Sequence, residues 1–312
     1  MRSDLGGVLA AVIATAVALS LAAPGFATQF NFDSLTRTIA VTTIAGLAQL
    51  CVLSIGHFNL ALGAMGALGA VSAGALMETF GVPVELAIPA GLLLGAAAGA
   101  GEGALIVKTG INPFVITLSL ASIYLGGVTA VTQAKFYSHM PQAFNDLGIV
   151  TVQGVPLMFI IALVLAVLLW VVMARTALGR QILASGANVT AAAFAGIPTG
   201  RVILVAHSLS GLLAAAAGIL LASRLGSAQI SIGADWLLVS FAGPVLGGTI
   251  LSGGKVSVIG TIAGAALMSM ITNALVLVGV SYFWFQTFLG VILLGAFAID
   301  RARLAYITQT RF

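Results

Sequence analysis

The sequence predicts an all-α polytopic membrane protein, and three observations lead to this fold class. Of the 312 residues, 60% are hydrophobic and only 6% are charged, whereas about a quarter of the residues in a soluble domain are charged. Most of the apolar residues gather in runs close to the ~20 residues that a helix needs to cross a membrane. The chain also contains 38 glycines, and small residues let helices pack closely in lipid. We therefore expect one transmembrane domain over residues 1–312.

The apolar residues form ten runs that we interpret as transmembrane helices. The first run follows Arg2 and exceeds the roughly 7–15 apolar residues of a signal peptide, so we expect a retained helix. Polar stretches separate the runs, and Gln29–Ser34 and Gln133–Gln153 are predicted to be loops. The runs cover residues 5–23, 35–55, 60–77, 86–107, 114–132, 155–173, 203–222, 236–248, 256–278 and 283–299.

Residues 174–201 form a polar segment between two apolar runs, and we place it in the cytosol. The segment contains Arg175, Arg180 and Arg201, and basic residues concentrate in the cytoplasmic loops of membrane proteins. With this segment inside, both termini are cytosolic. Nine of the twelve basic residues then lie at cytosolic ends, namely Arg2, Lys108, Arg175, Arg180, Arg201, Lys255, Arg301, Arg303 and Arg311.

A short helix from Asn188 to Phe194 is predicted inside this polar segment. Asn188 is a favourable N-cap, the alanines that follow favour helix, and Gly196 and Pro198 end it. A short helix that a membrane protein presents to the cytosol offers a docking surface for a partner. The alternative is a structureless connection whose arginines only set the orientation of the protein.

The apolar pattern breaks at Gly56-His57-Phe58-Asn59. Irregular backbone is tolerated at membrane depth only where protein or a water-filled cavity covers it. We therefore consider His57, Phe58 and Asn59 candidates for the lining of a solute path, with a tight turn that touches no solute as the alternative. Glycines recur at positions 63, 66 and 69 of the next run, which predicts a helix buried among other helices.

A second turn combines polar and aromatic residues at Asn112-Pro113-Phe114. Proline disfavours helix at Asn112 and suits the first turn of the next helix. Phe114 and Thr117 lie one turn apart, so an aromatic face and a hydroxyl could contact a sugar together. Simple packing of Phe114 is the alternative.

Glu102 lies inside an apolar run, between two glycines. An ionisable residue within the membrane is a functional candidate by default, so we include Glu102 in the candidate solute path. The alternative is an ion pair with Lys108 near the membrane interface. His207 and Asn273 are lone polar residues in other runs and are predicted to form hydrogen bonds between helices.

Several classes of function have little support in the sequence. The formal net charge of +4 is not arranged as a basic stripe with interleaved aromatic residues, so we expect no nucleic-acid partner. Cys51 is the only cysteine and cannot form an intrachain disulfide. The three histidines lie in different runs, and we find no pattern of nucleophile, base and acid and no metal-ligand cluster. An enzyme is therefore not expected.

Residues 179–198 follow the order G-R-x-x-x-A-x-G-A-N-x-x-A-A-x-x-A-G-I-P. This order resembles the coupling loop of permease subunits in bacterial sugar ABC importers, in particular the ribose-like group of the branched-chain amino-acid and sugar permease superfamily. Residues 247–254 resemble the family's G-G-T-x-x-x-G-G turn. The turn at Asn112 resembles its P-P-F-I-x-T-L element, with asparagine where proline is common. Asn59 stands where the family usually has an acidic residue, which leaves the solute open.

The resemblance implies a type II, vitamin-B12-importer-like ABC permease with about ten helices and two pseudo-symmetric halves. It also implies a bacterial inner-membrane complex with a second permease, identical or different, two ABC ATPase subunits and a periplasmic solute-binding protein. ATP would be hydrolysed by the partner subunit, and no cofactor would be bound by this chain. The implied ATPase-coupling residues of segment 174–201 are Arg180, Gly186, Asn188, Ala191, Ala192 and Gly196.

The function predicted from these observations is import of a small polar solute, with a monosaccharide as the leading candidate. A nucleoside, a branched-chain amino acid and an autoinducer-like furanose are alternatives within the same class. An ion-coupled secondary transporter with Glu102 as proton carrier is an alternative of another class. A structural membrane scaffold is the third.

Overall fold

The computed structural model describes residues 2–23 and 25–280, together with isolated positions between 284 and 295. This part of the chain is helical apart from its connections and one short hairpin, which pairs β1 (Thr151–Val152) with β2 (Val155–Pro156). The helices are α1 (Arg2–Ala22), α2 (Gln29–Leu53), α3 (Leu62–Phe80), α4 (Val84–Thr109), α5 (Pro113–Thr132), α6 (Gln142–Ile149), α7 (Leu157–Arg175), α8 (Ala177–Ala187), α9 (Val189–Phe194), α10 (Thr199–Leu225), α11 (Trp236–Leu246) and α12 (Val258–Leu277).

Seven of these helices are long and apolar enough to cross a membrane, and the chain is a multi-pass membrane protein. The seven are α2, α3, α4, α5, α7, α10 and α12, while α11 and the apolar part of α1 are shorter. Nine of the ten predicted runs coincide with a helix in the described part of the chain. The tenth, residues 283–299, lies outside the described residues apart from isolated positions.

Helix α11 is too short to cross a membrane by itself. Its 11 residues extend about 16 Å at 1.5 Å per residue, roughly half of a ~30 Å hydrocarbon core. The predicted run over residues 236–248 is confirmed as a helix, but this helix is shorter than a membrane crossing. The connection 226–235 before it is not helical and packs inside the bundle, since Ile232 is buried and an added Cβ on Gly233 would lie 2.7 Å from the carbonyl oxygen of Gly63.

The predicted loop Gln29–Ser34 is wrong, because α2 begins at Gln29. Thr28 caps the helix by accepting a hydrogen bond from the N–H of Asn31. The buried Asn31 side chain in turn exchanges hydrogen bonds of 2.8 and 3.1 Å with Asn273 of α12. A polar side chain that finds its partner on a neighbouring helix does not need water, so polarity alone did not end the helix here. The prediction for Asn273 is confirmed.

The two ends of the helix bundle form different faces. Helix α6, which lies within the predicted loop Gln133–Gln153, marks one face. There, Ser223 of α10 donates a 2.6 Å hydrogen bond to the carbonyl of Phe144, and Arg224 donates to Thr38 of α2. Helix α7 runs from the hairpin beside α6 to α8, so α8 and α9 lie at the opposite face. We call these the α6 face and the α8–α9 face.

Helix α10 packs closely on α4 because α4 presents glycines at every fourth position. An added Cβ on Gly95 would lie 2.6 Å from the carbonyl oxygen of Gly211, and one on Gly103 would lie 2.7 Å from Cα of Leu204. Only hydrogen fits at such distances, so the two backbones are in direct contact. This contact places Glu102, beside Gly103, against α10.

The predicted burial of α3 is confirmed by contacts of the same kind. An added Cβ on Gly66 would lie 3.2 Å from the carbonyl oxygen of Ala214, and one on Gly218 would overlap the carbonyl of Gly66. Helices α3, α4 and α10 therefore form a closely packed centre around the break that follows α2.

Candidate functional site

Residues 54–61 form a non-helical break between α2 and α3. Asn59 lies buried within it and is 1% exposed. Its Oδ1 accepts a 2.9 Å hydrogen bond from the N–H of Ala61, and its Nδ2 donates a 3.1 Å hydrogen bond to the hydroxyl of Ser210 on α10. One amide group thus closes the turn and attaches it to the central helix.

Two more buried side chains hold the backbone of this break. With its amide oriented to satisfy both groups, Gln49 of α2 donates to the carbonyl of Asn59 at 3.1 Å and accepts from its N–H at 3.3 Å. Thr117 Oγ1 of α5 lies 3.3 Å from the carbonyl oxygens of Phe58 and Phe114 and can donate to either. Irregular backbone at membrane depth needs such protein partners, and the break has them.

Three ionisable side chains that are distant in sequence meet beside the break. His207 Nδ1 of α10 lies 3.1 Å from Glu102 Oε2 of α4, and His207 Nε2 lies 3.2 Å from His57 Nδ1 in the break. Glu102 and His207 are fully buried, and His57 is half-buried. We call these residues the Glu-His-His cluster. The proposed pairing of Glu102 with Lys108 is wrong, because the carboxylate faces α10 and Lys108 is exposed.

The break also contacts the second interrupted segment of the bundle. The ring of Phe58 packs on Phe241 of α11, with 5.6 Å between ring centroids. Residues 226–235 meet the start of α3 at Gly63 and Gly233. Two interrupted helices that meet inside a bundle are the arrangement that many transporters use to build a solute site.

At the α8–α9 face, the break touches two other segments through backbone atoms. The N–H of Gly254 donates a 3.0 Å hydrogen bond to the carbonyl of Ser54. An added Cβ on Gly253 would lie 2.7 Å from the N of Gly56, and one on Gly186 would overlap the carbonyl oxygen of Ser54. We call these residues, Ser54, Gly56, Gly186, Gly253 and Gly254, the glycine junction. The junction joins the break to Gly186 near the end of α8, two residues before Asn188, the cap of α9.

The predicted short helix after Asn188 is confirmed as α9. Asn188 caps it by accepting a 2.9 Å hydrogen bond from the N–H of Ala191. Phe194 is 89% exposed and Val189 is 54% exposed. The alternative of a structureless connection is wrong, since helices α8 and α9 together cover most of segment 174–201.

Comparison with known proteins identifies the family. Residues 31–297 match the family described as the branched-chain amino acid transport system permease component. The chain belongs to this permease family. The permease is 33% identical to the ribose import permease protein of Bacillus subtilis, over 93% of this chain and 90% of the relative.

Two other relatives have different names. The permease is 30% identical to the D-allose transport system permease protein of Escherichia coli, over 93% of this chain and 90% of that protein. It is 34% identical to the autoinducer 2 import system permease protein of Photorhabdus luminescens, over 76% and 73% of the two chains. No solved structure matches the permease. Its relatives are transport permeases and not enzymes, which agrees with the sequence-based prediction.

The structure brings together most, but not all, of the residues predicted to line a solute path. The residues at or beside the break are His57, Phe58, Asn59, Glu102 and Thr117. Asn112 and Phe114 instead lie exposed at the start of α5, where Asn112 Oδ1 accepts a 2.9 Å hydrogen bond from the N–H of Phe114. Asn112 therefore acts as a helix cap in the permease.

The predicted coupling residues differ in their exposure. Those exposed at the α8–α9 face are Arg180, Asn188, Ala191 and Gly196. Gly186 lies in the glycine junction, and Ala192 is buried beneath α9 with 4% exposure. Ala191 can therefore contact a partner at the surface, whereas Ala192 cannot.

Sequence reasoning missed three residues that hold the break. Gln49 had a signal, because it is a lone polar residue in an apolar run, like Asn273. Ser210 and Phe241 had none, since a serine and a phenylalanine are common in membrane helices. Their roles depend on contacts between α10, α11 and the break, which the linear sequence does not show.

Proposed function

We propose that the permease is the membrane subunit of an ATP-driven importer that moves a monosaccharide-type solute into the cytoplasm. The names of the relatives support this class, since two are import permeases, for ribose and for autoinducer 2, and one belongs to a D-allose transport system. The observation that carries the proposal is the glycine junction. It links an exposed helix at one face to an interrupted, polar segment inside the bundle. A transporter that is driven by a separate ATPase subunit requires such a link.

The fold supports ten membrane crossings in a type II permease with two pseudo-symmetric halves. Residues 226–235 and α11 would form one composite crossing, and residues 283–299 would add the last. The break at 54–61 and the segment at 226–235 then enter from opposite faces and meet at Gly63 and Gly233. An inverted repeat gives this arrangement.

We place the α8–α9 face and both termini in the cytoplasm and the permease in the bacterial inner membrane. Helix α4 ends at Thr109, next to Lys108, at this face, because an added Cβ on Gly200 near the start of α10 would lie 3.1 Å from a methyl carbon of Val107. Arg175 and Arg180 flank the start of α8. This excess of positive charge is typical of cytoplasmic loops.

The proposed partners follow from the two faces. An ABC ATPase subunit would dock on α9, whose Val189 and Phe194 offer apolar surface. A solute-binding protein would dock on the α6 face, and a second permease, identical or different, would complete the solute path. The ATPase would hydrolyse ATP, and the permease itself would bind no cofactor.

The solute would pass beside the break, where His57 is half-buried. Imidazole and amide groups next to the ring of Phe58 suit a sugar, which combines hydroxyls with apolar C–H faces. A nucleoside or a branched-chain amino acid is the alternative solute for the same complex. Uptake assays would distinguish these solutes. A knockout strain that carries the permease with its ATPase and solute-binding protein is given radiolabelled D-ribose, D-allose, a nucleoside or leucine.

The first test is the composition of the complex. The tagged permease is cross-linked in the membranes of its native host, solubilised in mild detergent and purified, and the mass and subunits of the complex are measured. A P-loop ATPase in equal number with the permease supports the proposal. A permease that purifies alone, despite cross-linking, contradicts it.

One observation favours a second candidate, an ion-coupled secondary transporter. Glu102 is a fully buried carboxyl group in contact with His207, and intramembrane carboxyls serve as proton carriers in many transporters. This candidate predicts uptake by the permease alone in proteoliposomes, driven by a proton gradient and abolished in Glu102→Gln. Uptake that requires ATP excludes it.

A further inference from the structure

The Glu-His-His cluster has only one open end. Glu102 and His207 are fully buried, and each ring nitrogen of His207 lies within hydrogen-bonding distance of one neighbour. His57 uses Nδ1 toward His207, and its Nε2 has no hydrogen-bond partner in the described part of the chain. His57 Nε2 is therefore the atom through which this cluster can contact a solute.

The contact between His207 and Glu102 and the contact between His207 and His57 depend on each other, because both use the same imidazole ring. A neutral histidine has one nitrogen that donates and one that accepts. If Glu102 is ionised, His207 Nδ1–H donates to it, His207 Nε2 accepts from His57 Nδ1–H, and His57 Nε2 is an acceptor. This form has two shared protons and a charge of −1.

One added proton changes His57 Nε2 from a hydrogen-bond acceptor to a donor. Whether this proton lies on the carboxyl group or makes His207 an imidazolium, His207 Nε2–H now donates to His57 Nδ1, and His57 carries its proton on Nε2. This form has three protons, two between neighbouring groups and one on His57 Nε2, and it has no net charge. Glu102 Oε1 is buried without a hydrogen-bond partner in the described residues, and an uncompensated buried charge is costly. The burial of this site thus favours the three-proton form.

We propose that Glu102 and His207 are positioning residues that hold His57 as a hydrogen-bond donor, through Nε2–H, to an oxygen atom of the transported solute. This inference rests on the proposed function, because it assigns a role to the same site. It differs from the proton-carrier alternative, since the proton stays within the cluster during transport. Loss of that proton at high pH turns His57 into an acceptor and weakens solute binding.

One other ionisable side chain faces the cluster from a neighbouring helix. The hydroxyl of Tyr124 on α5 lies 3.9 Å from the position of an added Cβ on Gly101, the residue before Glu102. Its hydroxyl donates a 2.9 Å hydrogen bond to the carbonyl of Ala98, so it is not part of the cluster. Among the described residues, the cluster therefore consists of the carboxyl group and the two imidazoles.

Glutamine and alanine at position 102 separate this proposal from its alternatives. In Glu102→Gln, the side-chain amide donates to His207 Nδ1 and keeps the direction of the three-proton form. In Glu102→Ala, nothing orients His207. Ser208→Ala is the matched control, because the Ser208 hydroxyl also joins α10 to α4, through a 3.1 Å hydrogen bond to the carbonyl of Ala96 and not to a member of the cluster.

The first arm measures the tautomers directly and needs no solute. The full-length permease with a histidine-free tag is labelled with 15N-histidine in nanodiscs, and ring nitrogens are assigned with His57→Gln and His207→Gln. His139, whose side chain is 89% exposed, is the internal reference. The expected result is a proton on His57 Nε2 in the wild type, Glu102→Gln and Ser208→Ala, and a mixed tautomer in Glu102→Ala. A wild-type proton on His57 Nδ1, or no change in Glu102→Ala, overturns the proposal.

The second arm measures uptake by the assembled complex, with D-ribose and D-allose as probes. We expect KM to rise about tenfold in Glu102→Ala, the usual effect of losing one buried hydrogen bond, with maximal rate less affected. Glu102→Gln should retain uptake and should lose the decline of the wild type at high pH. Abolished uptake in Glu102→Gln contradicts the proposal and favours the proton carrier. If the complex lacks an ATPase, the proposed function fails, whereas the tautomer result still decides the role of Glu102.

Discussion

The two ends of the break between α2 and α3 are held in different ways. At one end, Asn59 is held by side-chain hydrogen bonds to and from α2 and α10. At its other end, Ser54 and Gly56 are held by direct backbone contact with Gly186 and Gly253. One short segment thus combines a polar site that depends on side chains with a junction that depends on the absence of side chains.

This difference indicates what each end can do. Side-chain hydrogen bonds can be exchanged for others, so the Asn59 end can adapt to a different solute. Backbone contacts without intervening side chains cannot slide or compress, so a displacement of α8 must move the break. We therefore expect substitutions in the glycine junction to affect transport more strongly than substitutions among the polar contacts.

The largest effect is expected for Gly186→Ala. The new Cβ would overlap the carbonyl oxygen of Ser54 and would lie 2.6 Å from the N of Gly254. Both are backbone atoms, which cannot rotate away as a side chain can. Overpacking costs about 1–3 kcal/mol, and about 1.4 kcal/mol corresponds to a tenfold change. Uptake in cells should fall about tenfold while the ATPase still co-purifies, because α9 itself is unchanged.

The matched control for this substitution is Gly126→Ala. Gly126 lies in α5, and an added Cβ there meets nothing within 4 Å. Its uptake should equal that of the wild type. Similar losses in both variants would show that the glycine junction has no special role.

The next largest effect separates the two alanines of α9. Ala191→Asp places a charge on the exposed surface, so we expect uptake and ATPase co-purification to be lost, as for a central interface residue worth about 2 kcal/mol, with an unchanged melting temperature. Ala192→Asp buries the charge beneath α9 and should also lower the melting temperature. Normal uptake in Ala191→Asp would exclude α9 as the docking helix.

A smaller effect is expected from Asn59→Ala at the other end of the break. The substitution leaves the N–H of Ala61 and the hydroxyl of Ser210 without their partner, and a lost buried hydrogen bond costs about 1–3 kcal/mol. The melting temperature should fall in thermal unfolding followed by tryptophan fluorescence. Ser119→Ala, which removes an exposed hydroxyl of α5, should leave it unchanged; an equal shift in both variants would mean that Asn59 does not hold the break.

The smallest effect is expected for Lys135→Ala. Lys135 forms a 3.0 Å ion pair with Glu78, but its side chain is 51% exposed, and exposed pairs contribute about 0–1 kcal/mol. Glu78 keeps its 2.9 Å hydrogen bond from the N–H of His139. Melting temperature and uptake should stay close to wild type. A large loss of uptake would instead assign Lys135 to the docking surface of the α6 face.

Local features of the sequence predicted local features of the structure. Asn188 was predicted to cap α9 and does so, because a capping bond joins residues only two or three positions apart. The small residues of α3 correctly indicated a buried helix. The loop Gln29–Ser34 was predicted wrongly, since the partner of Asn31 lies 242 positions away on α12.

The sequence marked Glu102 as a candidate but did not identify its partner. An acidic residue in an apolar run marked it as a candidate, but the nearest basic residue in sequence, Lys108, was not its partner. Its partner, His207, lies 105 positions away and reaches Glu102 only because the glycines of α4 let α10 approach. The sequence contains both residues but not the distance between them.

By itself, the sequence determined that this chain is a helical membrane protein, where most of its helices lie, how α9 is capped and which permease family it resembles. These properties follow from hydropathy, capping and short motifs, which act over a few neighbouring residues. The tertiary structure alone decided that His57, His207 and Glu102 meet, that α11 is a half-length helix and that Gly186 touches Ser54. These properties depend on helix packing, which joins residues far apart in the chain through close backbone contact.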